Sequence, residues 1–149
     1  MLEILNYYAL HTTADFSERP HNIKELRDLV QTEEWLPKYV AVIGGDVVGF
    51  AVAYPFRLEA AFADTVKFTY WLRPAFTGQG IGGRLYNQVE SECRQNGIRN
   101  ILVNISSLNE RSIRFHERRG FVPCGCFKRV ATKLGRTFDL VWMQKSLER

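Results

Sequence analysis

Between Val66 and Gln95 the chain reads as a strand, a glycine loop and a helix in immediate succession, and no other stretch constrains the fold as much. Val66, Phe68, Tyr70 and Leu72 alternate with Lys67, Thr69, Trp71 and Arg73, the pattern of a strand with two distinct faces. After the run Thr77-Gly78-Gln79-Gly80-Ile81-Gly82-Gly83, the residues Leu85, Val89 and Cys93 recur every fourth position and predict a helix from near Gly82 to near Gly97. Four glycines in seven residues remove the side chains that keep an anion off the backbone, so successive N–H groups converge at the positive end of that helix. Such a loop suits a pyrophosphate.

Two common pyrophosphate loops do not fit. The run lacks the Gly-Lys-Ser/Thr ending of a P-loop, and with it the lysine and magnesium-binding hydroxyl of nucleotide hydrolysis. It also lies mid-chain, and Gln95-Asn96-Gly97-Ile98-Arg99-Asn100 offers no acidic residue to grip a ribose, which disfavours a nicotinamide cofactor.

The rest of the chain reads as alternating α and β, with no internal repeat and no linker, so residues 1–149 are expected to form one domain. Residues 2 to 11 look like part of a helix. Asn22 is placed to cap a second helix from Ile23 to about Glu34, with Ile23, Leu26, Leu29 and Val30 as its apolar stripe and Trp35 closing it against the core. Tyr39 to Ile43 and Val47 to Phe56 are β-rich and joined by Gly44-Gly45-Asp46, a hairpin signal. Ile101 to Ile105 reads as a short buried strand. Asn109 caps a further helix that Gly120 ends, and Val122 to Thr132 and Thr137 to Gln144 form a last pair of strands about Leu134-Gly135-Arg136.

On the helix after Asn109, three polar residues share one stripe: Asn109, Ser112 and His116 fall at i, i+3 and i+7. A core-facing stripe is normally apolar, so this one meets water or lines a site. Capping and ligand contact both fit Asn109, and close packing or ligand contact both fit Ser112. His116 carries a ring able to donate or accept a proton near neutral pH, or simply to bridge at a pocket edge.

Composition narrows the classes. A formal charge of +4 and a pI near 9.1 admit a nucleic-acid partner, but the cations are scattered along the chain, and no such partner is expected. Arg111, Arg114 and Arg118 stand at helical spacing, either as a solvated face or with one or more meeting the phosphates of a ligand. No apolar run approaches a membrane span and no signal segment opens the chain, so a cytoplasmic protein with no membrane partner is expected. Three cysteines without a CxxC pair, Cys93, Cys124 and Cys126, read as reduced thiols, with Cys124 and Cys126 on one face of a strand; with three scattered histidines, no metal is expected.

The run Thr77 to Gly82 resembles the Q/R-x-x-G-x-G/A signature of the GNAT acetyltransferases, with Thr77 in place of Gln or Arg. The block from Asn109 to Phe121 resembles the same family's N-x-x-A/S-x-x-x-Y/H/F-x-K/R-x-G-F helix. Thr12-Thr13-Ala14-Asp15-Phe16, Ala53-Tyr54-Pro55-Phe56-Arg57, and Gly135-Arg136-Thr137-Phe138-Asp139-Leu140 with Met143-Gln144 are similar to the phosphinothricin and methionine sulfoximine acetyltransferase branch. The resemblance implies the GNAT fold: a mixed, mostly antiparallel sheet flanked by helices, here without the strand that usually precedes the first helix. It implies acetyl-CoA as donor, held by Trp71, Leu72, Thr77, Gly78, Gln79, Gly80, Ile81, Gly82, Gly83, Asn109 and Ser112, and direct transfer to a small amino-acid-like amine. A protein or peptide N-terminus is the alternative acceptor, and a silent acyl-CoA-binding module the alternative class.

Splayed strands near Leu72 and Asn104 would polarise the thioester, His116 would return a proton to sulfur, and Tyr54, Phe56, Phe62, Phe68 and Tyr70 would wall the acceptor pocket. At the branch's proposed base, a glutamate, stands Lys67. Either it binds an anionic acceptor while His116, Asp64 or water deprotonates the amine, or burial makes it the base, or it faces solvent in a chain with another substrate or none. Dimers are common in the family, and pairing of two copies is expected.

Overall fold

The computed structural model describes residues 1–148. Six strands, β1 (Lys38–Ile43), β2 (Asp46–Pro55), β3 (Thr65–Leu72), β4 (Asn100–Ser106), β5 (Val122–Lys133) and β6 (Arg136–Ser146), form one sheet in the order β1-β2-β3-β4-β6-β5. Every neighbouring pair is antiparallel except β3 with β4. The expected mixed, mostly antiparallel sheet is therefore present. Among the described residues no strand precedes the first helix, and β1 forms that edge of the sheet.

Alternation in β2 divides the core between two faces. Phe50 and Val52 meet Ile4 and Leu5 of α1 (Leu2–His11) and Leu26 of α2 (Ile23–Val30). Ala51 and Ala53 belong to the other face, beneath Leu85, Val89 and Cys93 of α3 (Ile81–Gln95). The small alanines let α3 approach the sheet closely, and burying each of its large apolar side chains contributes about 2 kcal/mol. Gly44 and Gly45, at φ +60° and +86°, make the two-residue turn that sets β1 against β2, a conformation open to glycine and costly for most other residues.

Two local expectations need correction. Asn22 caps α2 with a full capping box, its side chain accepting from Glu25 N–H (2.9 Å) while Glu25 accepts from Asn22 N–H (2.8 Å), but the helix stops at Val30 rather than Glu34. Residues 32–36 turn instead, dropping Leu36 into the core at 2% exposure and leaving Trp35 46% exposed, so Leu36 closes the helix against the core. In β5, Pro123 pairs with Met143 and Gly125 with Trp142, so Cys124 is the extra residue of a bulge, and the alternation that would place Cys124 and Cys126 on one face is interrupted. Both are exposed free thiols, whereas Cys93 is fully buried.

Candidate active site

β3 and β4 are paired only at Thr65↔Asn100, Val66↔Ile101 and Lys67↔Leu102. Beyond those pairs the strands part, and a cavity of about 490 Å³ opens between Phe68–Leu72 on one side and Val103–Ser106 on the other, roofed by the glycine loop and by α4 (Glu110–Glu117). Arg73 N–H donates to Val48 O (2.7 Å), so odd-numbered residues of β3 aim their backbone groups at β2. Those of Phe68, Tyr70 and Leu72 therefore face the cleft. There the hydroxyl of Tyr8, from α1, donates to Leu72 O (2.7 Å).

The loop meets the requirements of an anion cradle. Gly78 and Gly80 hold φ +78° and +82°. Gly80 caps α3 without a side-chain hydrogen bond, the first N–H groups of a helix have no intrahelical partner, and Gly80, Gly82 and Gly83 line the cavity. A Cβ on Gly82 would stand 3.1 Å from the Tyr70 ring, and one on Gly83 would collide with Arg119. Of the run's three side chains Thr77 lines the cleft, and the other two lie elsewhere: Gln79 donates back to Ala75 O (3.0 Å), and Ile81 packs on the core.

The stripe of α4 does line the cleft. Asn109 serves as cap, its Oδ1 accepting from Ser112 N–H (3.2 Å). His116 is 3% exposed, set among Phe68, Tyr70, Phe115 and Phe121. Its Nδ1 lies 2.7 Å from Ser112 O, which only accepts, so Nδ1 carries the hydrogen and Nε2 a lone pair. Nε2 is buried without a partner. Burial, the main cause, and the nearby Arg119 charge push the imidazole down to about 4, against the hydrogen bond to Ser112. At neutral pH the ring is thus uncharged, its one N–H committed to Ser112 O and a lone pair left at Nε2, whereas the resemblance implies a proton donor.

The other expected residues separate. Trp71 and Leu72 line the cleft, as do Phe68 and Tyr70. Phe56 and Phe62 instead stack edge to face away from it, and Tyr54 and Lys67 are not among its lining residues. The Lys67 ammonium sits 5.4 Å from the Tyr54 ring centre and 5.2 Å from that of Trp142, and burial lowers its pKa. Asp64 is tied to Arg99 at the closed end of the β3–β4 pair, remote from the cleft, which removes it as a base. Among the described residues no group of three His, Cys, Asp or Glu could hold a metal ion.

Sequence reasoning missed Tyr8 and Arg119. Nothing in the spacing of residues 2 to 11 marks Tyr8, because its function depends on α1 crossing the end of β3. Arg119 stands two residues before Phe121, at a variable position of the second motif. Its guanidinium carbon lies 3.6 Å from the Phe115 ring centre, and burial lowers its pKa.

Residues 3–121 match the model of the acetyltransferase (GNAT) family. The chain is 31% identical to an L-methionine sulfoximine/L-methionine sulfone acetyltransferase of Salmonella typhimurium over 98% of this chain and 86% of that protein. It superposes on a phosphinothricin acetyltransferase from Sinorhizobium meliloti, solved with AcCoA, with a TM-score of 0.90 and 29% identity, covering 98% of this chain and 80% of that one. It is also similar to a ribosomal-protein-alanine N-acetyltransferase from Brucella melitensis, with a TM-score of 0.86 and 31% identity over 98% of this chain and 91% of that one.

Proposed function

The chain belongs to the GNAT acetyltransferase family, and from that premise we propose that it transfers the acetyl group of acetyl-CoA directly to the primary amine of a small amino-acid-like acceptor, phosphinothricin or methionine sulfoximine being the types to try first. The observation that carries this reading is the parting of β3 from β4 beside a glycine-lined helix end. Acetyl-CoA supplies an activated thioester. The chain supplies a cradle of N–H groups at Gly80 to Gly83 for the phosphates, an unpaired strand edge at Phe68, Tyr70 and Leu72 for an extended arm, and Asn109 and Ser112 at the start of α4.

In this reading Tyr8 fixes the Leu72 peptide, and so the direction of the neighbouring N–H groups, where the thioester carbonyl is to be polarised. As the amine nitrogen bonds the acetyl carbon, the C–S bond breaks and CoA leaves as the thiolate, and the nitrogen sheds a proton that balances that charge. His116 Nε2, neutral and unpartnered, is the acceptor the cleft offers, directly or through water. Among the described residues no cysteine lines the cleft, which supports one-step transfer over an acyl-enzyme. Lys67, next to the cleft residue Phe68 though not itself lining the cleft, is held between two aromatic rings with no carboxylate partner among the described residues, and would offer the acceptor's carboxylate or phosphinate a cation at the cleft's closed end.

The whole of residues 1–149 is taken as one acetyltransferase domain. The nearly all-exposed edge strand β5, with Phe127 58% and Val130 56% exposed, is the surface on which two copies would pair, which sedimentation tests. The free thiols suit a reducing cytoplasm. A protein N-terminus is the second acceptor reading, favoured by the similarity to the Brucella melitensis enzyme.

The deciding experiment follows coenzyme A release from acetyl-CoA with phosphinothricin, methionine sulfoximine, free amino acids, polyamines and short peptides. Release driven by the first two supports the reading and release driven by peptides alone moves the acceptor to a protein N-terminus. Saturable acetyl-CoA binding with no release from any amine points to a silent module.

A further inference from the structure

Thr77 stands where the loop signature calls for Gln or Arg, and in the structure a side chain from another element reaches it. Arg111, from the first turn of α4, reaches across 34 residues of sequence and donates from Nη1 to Thr77 Oγ1 (3.1 Å). The Thr77 hydroxyl in turn donates to Pro74 O (2.8 Å), so the threonine is pinned as an acceptor for the arginine. Nη2 of Arg111 lies 3.1 Å from where a Cβ on Gly78 would stand, which places the guanidinium against the loop backbone itself. Both Thr77 and Arg111 line the cleft.

The charge of Arg111 is uncompensated. One turn further on, Arg114 is paired with Glu110 at 3.1 Å, but among the described residues no carboxylate forms an ion pair with Arg111. A guanidinium has five N–H donors, and the Thr77 bond uses one. Arg111 is an exposed residue of the helix surface, and its guanidinium is held by a threonine at the lip of an anion cradle.

We propose that Arg111 supplies from α4 the side chain that the loop lacks at position 77, donating to the pyrophosphate of the CoA donor. This rests on the acetyl-CoA reading above and deepens it. The pairing explains the departure at position 77: a threonine is short enough to admit the arginine and keeps the hydroxyl that aims it. It also distinguishes two of the three arginines in the helical row: Arg111 gains a ligand, while Arg114, which lines the cleft as well, is already paired with Glu110.

The test is calorimetric binding of CoA, and of dephospho-CoA, which keeps the pyrophosphate and lacks the 3′-phosphate. The set is the natural chain, Arg111→Ala, Arg111→Lys, and Arg111→Ala with Thr77→Arg. The natural chain binding neither compound would overturn the acetyl-CoA reading together with this inference. If it binds, Arg111→Ala should weaken CoA and dephospho-CoA alike by about tenfold, as loss of a charge-assisted hydrogen bond does. Lysine should recover part of that loss, and Thr77→Arg should restore most of it by returning the cation to the loop. An Arg111→Ala affinity within about twofold of the natural chain, a loss confined to CoA, or no recovery with Thr77→Arg would each overturn the inference and leave the acetyl-CoA reading standing. A merely structural arginine would not be rescued from another element.

Discussion

From Thr65 to Lys67, β3 is hydrogen-bonded to β4, and the Asp64–Arg99 ion pair lies beside that junction; from Phe68 to Leu72 the same strand has no β4 partner and turns its backbone to a cavity. The closed end satisfies its peptide groups internally and is occupied by structure. At the open end those groups are left for a ligand, with glycines roofing them and a neutral histidine and the arginines at 111, 114, 118 and 119 alongside. One strand can thus be scaffold over half its length and binding surface over the other half. The difference lies first in which backbone groups are paired, since at the open end those of Phe68, Tyr70 and Leu72 have no β4 partner among the described residues.

Substitutions at the two ends should separate in size. The largest effect is expected at the roof of the open end. Gly82→Glu puts bulk against the Tyr70 ring and a negative charge at the cradle, and should weaken acetyl-CoA binding by about a hundredfold or more in calorimetry. Unchanged affinity in a variant of normal circular dichroism would remove the loop from the donor site. Next, His116→Ala should lower kcat by about a hundredfold, with the donor Kd within about twofold; equal turnover would return His116 to a purely structural part.

The same residue carries a pH signature. Folding holds its pKa at about 4 against an ordinary 6.5, so between those values the unfolded chain binds a proton that the folded chain does not. Its contribution is complete above pH 6.5 and is lost as pH falls toward 4, amounting to about 3 kcal/mol. Urea midpoints measured across that window should decline in the natural chain and decline less in His116→Phe.

Lys67, at the boundary between the two ends, should give an intermediate result. Lys67→Met is expected to raise the acceptor KM about tenfold and leave the donor Kd unmoved; an unchanged KM for every anionic acceptor would show that the ammonium meets none of them. The smallest effect belongs to the closed end. Asp64→Asn should cost about 1 kcal/mol or less, as exposed pairs do, with kcat and donor Kd unaltered. A large fall in kcat would reinstate Asp64 as a base.

What could be read from the sequence was whatever depends on local period and punctuation. The strand–loop–helix unit, the caps at Asn22 and Asn109 and the Gly44-Gly45 hairpin all lie where alternation and turn chemistry put them, because short-range sterics decide them. Features set by contacts between distant residues were not legible. The stop of α2 at Val30 follows from Leu36 entering the core, and the bulge at Cys124 from register against β6. Within the site, the polar stripe of α4 was readable, but the protonation of His116 was not, since it depends on aromatic rings from β3 and from Phe121 closing around it. The tie from Arg111 to Thr77 was likewise invisible, although the departure at Thr77 marked the place to look.

The burial of Cys93 gives the molecule a built-in clock. Its thiol, fully enclosed under α3 and pushed up to about 12 by that enclosure, cannot meet a disulfide reagent until the helix lifts from the sheet. The exposed thiols of Cys124 and Cys126 need no such opening. A thiol-exchange trace should therefore divide into two rapid equivalents and one slow one, and the slow rate reports how often α3 separates from the sheet. Because α3 begins at the glycine loop, donor bound there should slow that third thiol and leave the first two unchanged, so its occupancy becomes readable from a side chain that never touches the ligand.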